Sequence, residues 1–379
     1  MRVLGLMSGT SADGVDAVLA DFKGNPIRPK WKLLKSLSFP YPADLSKRIV
    51  DVGQNLQLCS HEWLDLAEAI TEVHAQAAWA CDPNHHFELV GCHGQTVWHR
   101  PPFNEKRGAS LQLLQAPLLA QLLNSSVVHD FRAADLALGG QGAPLVPKLD
   151  AAIFGRLSSW RAILNLGGIA NLTLIPPTSG PDRFESVMGW DCGPANSLLD
   201  LAVQKISNGQ LAFDRDGLIA GRGSPYELII ERWLKEPFFH KPPPKSSGRE
   251  QFGLADLTSR LRDMPSISSE NMIATLTAFS AAAVAQDLAN LQSIQNIRPI
   301  ELLVAGGGCR NPIMLNEIRR RCLGMRVVTT AANGIPIQAR EALAFALLAW
   351  WHILQFPGNA PAITGAKRSV VLGMRVDPV

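Results

Sequence analysis

Apolar residues fall into short runs separated by polar, glycine-rich turns. Val3 and Leu4 precede, and Val15 and Ala17–Ala20 follow, a turn built from Ser8, Gly9, Thr10, Ser11, Asp13 and Gly14, so residues 1–22 read as a β-hairpin. Residues 31–39 form a third strand, stopped by Pro40 and Pro42, and 43–80 read as helices, with Trp63, Leu64, Leu66, Ala67, Ile70, Val73, Ala77 and Ala78 at helical spacing. Phe87–Cys92 is a buried strand ending in the polar loop Gly91–Thr96, and Leu111–Leu123 looks helical. Val127–Asp130 is a strand, followed by the glycine-rich loop 138–144 and a helix near Val146–Phe154. The opening theme then returns. Ala162–Leu166, Gly167-Gly168 and Ile169–Ile175 make a second strand, glycine turn and strand.

The second half continues with Gly189–Asn196, which enters a helix at Ser197–Val203, and with a helix near Pro225–Leu234. His240–Glu250 is proline-rich, basic and without period, hence a loop packed on the second lobe. Asn271–Leu291 is an alanine-rich helix, and Glu301–Ala305 is a buried strand running into Gly306-Gly307-Gly308. A helix from Asn311-Pro312 to Arg321, a strand at Val327–Thr330 and a buried helix at Glu341–Leu354 complete the chain. The last helix is expected to pack back on the first lobe. Two comparable hairpins about 160 residues apart, each opening strands and then helices, fit two copies of one βββαβα lobe facing a cleft.

Composition narrows the class. A chain of 379 residues exceeds one ordinary core, so two lobes are expected. A net charge of +3, without a basic tract carrying interleaved aromatics, argues against nucleic acid and acidic membranes as partners. The six cysteines (59, 81, 92, 192, 309 and 322) are scattered and form no CxxC pair, which suggests buried thiols rather than zinc or disulfides. The longest apolar run, Ala342–Trp351, falls short of the roughly 20 residues a membrane span needs. No charged leader precedes the first strand, which predicts a cytoplasmic protein.

Chemistry concentrates in the turns. Small residues let the Gly5–Asp16 backbone approach a ligand and surround an anion, although a polar hairpin turn has the same appearance. His93 reads as a base, a substrate contact or a loop residue, with Gln95 and Thr96 beside it. Arg132, near Asp130 and Asp135, fits an ion pair or a site for a sugar, carboxylate or phosphate. Asp191 fits a helix N-cap or a catalytic base. Gly306–Gly308, between strand and helix, permits close approach of a flat or anionic ligand. Val15 stands where a Walker A loop needs lysine, and no GxGxxG, GxSxG, HExxH or protein-kinase set occurs.

The chain resembles the anhydro-N-acetylmuramic acid kinase family of the sugar kinase/Hsp70/actin superfamily. The shared stretches are GLMSGTSADGVD, GCHGQT, DFRAADLALGGQGAPLVP, NLGGIANLT, WDCGPANSLLD, FDRDG, PPPKSSGRE and LVAGGGCRNP. The resemblance implies an α/β, two-lobed actin-like ATPase (ribonuclease H-like) fold with an interlobe active-site cleft. Lobe I would be 1–135 completed by 341–379, and lobe II 136–340. It also implies an ATP- and Mg2+-dependent kinase that opens the 1,6-anhydro ring of its amino sugar with water and phosphorylates O6. Asp191 would be the base. Gly9, Thr10, Ser11, Ala12, Asp13, Gly14, Val15 and Asp16 would hold the β- and γ-phosphates, with Gly167 and Gly168 opposite and Gly306, Gly307 and Gly308 beside adenosine. His93, Gln95, Asp130, Arg132 and Glu341 would face the sugar, Arg132 toward its lactyl carboxylate, and the protein would be a homodimer. Two departures stand out. Met7 occupies the place of the superfamily's aspartate, so metal handling shifts to Asp13, Asp16 or Asp191. Ala195 replaces an expected glycine. Two other readings fit the residues: a kinase of a free amino sugar, or a nucleotide-binding regulator without turnover.

Overall fold

The computed structural model describes every residue except 104–105, 156–157, 244, 249–250 and 265, so the proline-rich loop falls partly outside the described residues. The chain divides into two units, Met1–Phe154 with Gly334–Val379, and Gly155–Asn333.

Unit 1 begins with β1 (Arg2–Ser8), β2 (Gly14–Asn25) and β3 (Arg28–Pro40), an antiparallel meander. Helices α1 (Ala43–Gly53) and α2 (Ser60–Cys81) lead to β4 (Leu89–Arg100), parallel to β1. Then come β5 (Ala109–Leu113), α3 (Ala116–Leu123), β6 (Val127–His129), α4 (Ala133–Ala137) and α5 (Val146–Phe154). Unit 2 contains β7 (Arg161–Leu166), β8 (Ile169–Ile175), β9 (Met188–Pro194), α6 (Asn196–Ile206), α7 (Glu227–Trp233), α8 (Pro237–His240), α9 (Leu254–Arg262), α10 (Ser269–Gln295), β10 (Glu301–Ala305), α11 (Pro312–Arg321) and β11 (Arg326–Thr329). The chain returns to unit 1 with α12 (Ala339–Ile353), α13 (Pro361–Thr364) and β12 (Met374–Val376).

The sheets share one topology. Unit 1 reads β12-β6-β4-β1-β2-β3, with β5 paired to β4, and unit 2 reads β11-β10-β7-β8-β9. In each, a three-stranded meander is extended from its first strand by two parallel strands reached through helices. This is the actin-like, ribonuclease H-like arrangement, present twice. Parallel central strands are covered on both faces and so carry continuous apolar runs, as β10 does with all five residues buried.

Helix α12 shows why the chain returns to unit 1. It lies so close to β1 and β4 that a Cβ on Gly5 would stand 2.0 Å from the Ala342 carbonyl oxygen, and one on Gly91 would stand 2.2 Å from that of Phe345. Only glycine admits such an approach. Arg340 of α12 and Asp150 of α5 form a buried ion pair, with Nε to Oδ1 at 3.0 Å. This pair ties α5 to unit 1, so the division falls after Phe154 and before Gly334, whereas the sequence reading put it at 135/136 and 340/341. Helix α10 is the core helix of unit 2. It is long and apolar enough to cross a bilayer, but 78% of its apolar window is buried inside the protein.

Two local readings change. Leu111–Leu123 is not one helix. Its first residues pair as β5 with the end of β4, and α3 starts at Ala116, because leucines at 111, 113 and 114 satisfy both periods and cross-strand pairing decides. The Gly91–Thr96 segment is not a loop at a strand end but the middle of β4, which runs on to Arg100.

Candidate active site

In unit 1 the β1–β2 turn closes through a backbone bond from the Ala12 N–H to the Gly9 carbonyl at 3.1 Å, and the Ser8 hydroxyl lies 3.0 Å from the Gly14 carbonyl oxygen. Ala12 holds a left-handed backbone at φ +53°, a conformation that costs a non-glycine residue about 1 kcal/mol or more. Thr10, Ser11 and Asp13 are exposed, and their N–H groups have no acceptor among the described residues. Unspent N–H groups of this kind are available to an anion. Gly14 and Val15 belong to β2. Asp16 lies directly across the ladder from Met7 and from Ser38, whose hydroxyl bonds its carboxylate, so Asp16 and Met7 share a face.

Beneath the turn lies a buried polar network. The Ser8 hydroxyl donates to Gln95 Oε1, Gln95 Nε2 donates to the Gly9 carbonyl at 3.0 Å, and the Tyr41 hydroxyl donates to Ser8 Oγ at 3.0 Å. Gln95 was expected on the substrate side. It is fully buried with its amide spent inside the protein, and it shapes the turn from below.

His93 is likewise buried and committed. Its Nδ1 donates to the Gly94 carbonyl at 2.9 Å, which leaves Nε2 as acceptor for Arg132 Nε at 3.1 Å and Nη2 at 3.0 Å. Burial, and then the Arg132 charge, hold its imidazole well below the usual range. A neutral ring with both nitrogens engaged is no general base, and His93 serves to orient Arg132. Arg132 Nη1 donates to the Gly142 carbonyl at 2.7 Å. Asp135 is not its partner, because that carboxylate binds Gly142 N–H, Asn359 and Thr364. No carboxylate pairs with Arg132 among the described residues. Burial pulls its guanidinium below the ordinary value, and the charge of Glu341, in the first turn of α12, offsets this. Asp130 is half-buried at φ +52°, a second non-glycine left-handed residue. Unit 1 therefore brings His93, Arg132 and Glu341 together.

In unit 2 the Gly167–Gly168 turn is locked to the start of α6. The N–H groups of Ala195 and Ser197 donate to the Gly168 carbonyl at 2.9 and 3.0 Å, and that of Asn196 donates to Gly167 at 3.1 Å. Asn196 Nδ2 adds bonds to the carbonyls of Leu166 at 3.1 Å and Gly167 at 2.7 Å. With these carbonyls spent, the N–H groups of Gly167 and Gly168 have no acceptor among the described residues. Ala195 needs no glycine, since its φ is −112°. The Gly306–Gly308 turn abuts the same place. A Cβ on Gly306 would stand 2.8 Å from Asn165 Oδ1, and one on Gly308 would stand 3.0 Å from Asn196 Nδ2.

Asp191 is on β9, directly opposite Asn171, which is opposite Asn165. These three half-buried polar side chains form a row across three strands on one face. A bulge beside Cys192 re-aims the strand at this point, as bulges near active sites do. The Asp191 carboxylate accepts the Ser247 N–H at 2.8 Å, and its own N–H donates to the Lys245 carbonyl at 2.9 Å. Asp191 is therefore a strand residue held by a loop, not a helix N-cap. The sequence reading missed Asn165 and Asn171 as site residues. Their signal was polar residues interrupting otherwise apolar strands at matching distances from a glycine pair.

A family profile described as Anhydro-N-acetylmuramic acid kinase matches residues 1–377. A protein of that name from Prochlorococcus marinus (strain MIT 9313) is 69% identical over 378 residues, and one from Synechococcus sp. (strain CC9902) is 62% identical over 379, each alignment covering 100% of both chains. Among solved structures, xylulose kinase from Rhodospirillum rubrum is 13% identical with a TM-score of 0.42, over 100% of this chain and 94% of that one. The activator of the 2-hydroxyisocaproyl-CoA dehydratase from Clostridium difficile with bound ADPNP is 12% identical with a TM-score of 0.40, over 92% and 94%.

Proposed function

The chain belongs to the anhydro-N-acetylmuramic acid kinase family, and from that premise we propose that it converts 1,6-anhydro-N-acetylmuramic acid, water and ATP into N-acetylmuramate 6-phosphate and ADP. Asp191 takes a proton from water, and the resulting hydroxide attacks C1. The C1–O6 bond breaks, and O6 attacks the γ-phosphorus to displace ADP. Glycoside cleavage ordinarily needs a second carboxyl group to protonate the leaving oxygen. Here the phosphoryl group captures that oxygen, so one carboxylate suffices. The observation that carries the reading is the Asp191 carboxylate, fixed by the Ser247 N–H at 2.8 Å in the polar row with Asn165 and Asn171.

The N–H groups of the Gly9–Asp16 turn suit the β- and γ-phosphates, and those of Gly167 and Gly168 suit further phosphate oxygens. Gly306–Gly308 suits adenosine. Magnesium enters with the nucleotide as MgATP and neutralises phosphate charge. No cluster of three or more His, Cys, Asp or Glu side chains converges on a metal position among the described residues, which fits a cation held mainly by phosphate and water. Asp16 is the carboxylate we assign beside it, because it shares the face of Met7, the place of the superfamily's aspartate. Arg132, oriented by His93 and unpaired with any carboxylate among the described residues, suits the lactyl carboxylate. Asp130 and Glu341 suit sugar hydroxyls. The same reading carries a homodimer, to be checked by light scattering, and a cytoplasmic location, to be checked by cell fractionation.

The test is Asp191→Asn assayed with MgATP and the anhydro sugar in 18O-water. Sugar phosphorylation is expected to fall at least a thousandfold while ATP still binds, and the wild type is expected to place 18O at C1. Near-normal turnover of the variant, or 18O in the phosphate, would refute the reading. Turnover of the reducing sugar alone would favour an ordinary hydroxyl kinase.

A further inference from the structure

Residues 245–248 have no periodic structure of their own, yet they meet Asp191 at both ends: the Lys245 carbonyl takes its N–H, and the Ser247 N–H reaches its carboxylate. β9 is the edge strand of its sheet, so this segment covers an otherwise open edge. The anchor lies behind the sheet. Lys245 Nζ stands 2.8 Å from Asp287 Oδ1, with the two side chains 2% and 5% exposed. The other oxygen, Asp287 Oδ2, accepts the Trp190 indole N–H at 3.0 Å. Trp190 directly precedes Asp191. One carboxylate on α10 thus grips the strand beside the base through Trp190, and its ion-pair partner Lys245 belongs to the loop that orients the base.

Stability alone does not account for this pair. Replacing a buried ion pair by apolar groups of similar volume is often neutral or favourable, whereas removing one partner is strongly destabilising. What the charges add is direction: two donors, Lys245 from the loop and Trp190 from the strand, converge on Asp287 and fix the two in a single register.

We propose that Lys245 and Asp287 are positioning residues for Asp191, clamping residues 245–248 onto β9 so that the Ser247 N–H holds the carboxylate in its proton-accepting orientation. This rests on Asp191 being the base. A displacement of about 1 Å at a reacting group costs on the order of a hundredfold in rate.

The experiment compares Asp191→Asn, Lys245→Met, Asp287→Asn and the double variant Lys245→Met/Asp287→Leu, all as full-length protein. It measures kcat, KM for the sugar, nucleotide affinity and melting temperature. The single variants of the pair are expected to lose about a hundredfold in kcat with nucleotide affinity unchanged. The double variant is expected to regain the wild-type melting temperature while its kcat stays down, because Trp190 and the loop have lost their shared acceptor. Folded single variants with kcat within about threefold of wild type would overturn the proposal, as would a double variant that regains both stability and rate. If the single variants do not fold, the double variant decides alone. Asp191→Asn reports on the base separately: normal turnover there removes the underlying reading, whereas an inactive Asp191→Asn beside active pair variants removes only the positioning role.

Discussion

Acid is expected to weaken unit 1, and His74 sets much of the effect. This residue is fully buried on α2; its Nδ1 donates to the Ile70 carbonyl at 2.8 Å, and Nε2 has no partner among the described residues. Burial holds its pKa at about 4 against an ordinary 6.5. The folded-state value is depressed, so its stabilisation is fully present above pH 6.5 and is lost as pH falls toward 4, because the unfolded chain binds the proton first. At about 1.4 kcal/mol per unit, a gap of 2.5 units amounts to roughly 3 kcal/mol over the whole window, and to about 2 kcal/mol between pH 7 and pH 5. His93, depressed in the same direction by burial and by Arg132, adds to the same slope. His74→Phe keeps a ring and removes the titration. Amide exchange of β1 and α2, followed by mass spectrometry at pH 7 and pH 5, reads unit 1 alone. The wild type is expected to lose protection on acidification, and the variant to lose about 2 kcal/mol less of it. An identical drop in both proteins would refute the linkage.

Two further outcomes follow from the packing. Arg132→Leu removes an oriented cation that His93 and the Gly142 carbonyl hold in place. It is expected to raise KM for the anhydro sugar tenfold or more, corresponding to the roughly 1.5–3 kcal/mol of a charged hydrogen bond, with KM for ATP unchanged. Equal KM shifts for both substrates, or none, would count against a sugar-side role. Gly91→Ala places a methyl where the Phe345 carbonyl oxygen is 2.2 Å away, so α12 must move. Overpacking of this kind costs about 1–3 kcal/mol, and the melting temperature of the variant is expected to fall accordingly. A variant as stable as the wild type would show that the helix is not seated on this glycine.

The repeated architecture was legible because it is written in short-range signals. Two strand–glycine–strand hairpins, each followed by helices and a buried strand, yield one sheet order twice. Glu301–Ala305 emerged as read, because the four-residue apolar run Leu302–Ala305 before three glycines has few alternatives. Leu111–Leu114 failed for the opposite reason: its spacing suits helix and strand alike, and the partner β4 chose. Polar residues were legible as chemistry but not as to which way they face. Gln95 and His93 lie in one motif, yet the structure turns both inward, one under the phosphate-type turn and one behind Arg132.

The hardest feature to read was the environment of Asp191. Its neighbours in sequence, Trp190 and Cys192, look like ordinary core residues, and they are buried. The role of Trp190 depends on Asp287, about a hundred residues further on, and on Lys245, in a segment whose proline content announces only a loop. No period links these positions. A buried lysine–aspartate pair is an expensive way to stabilise a core, so its presence behind Asp191 points to a demand for register rather than for stability. Alternation along β9 separates the two tasks. Trp190 faces the anchor, Asp191 faces the polar row, and a strand that slipped by one residue would exchange them. The loop that bonds both ends of Asp191 removes that freedom.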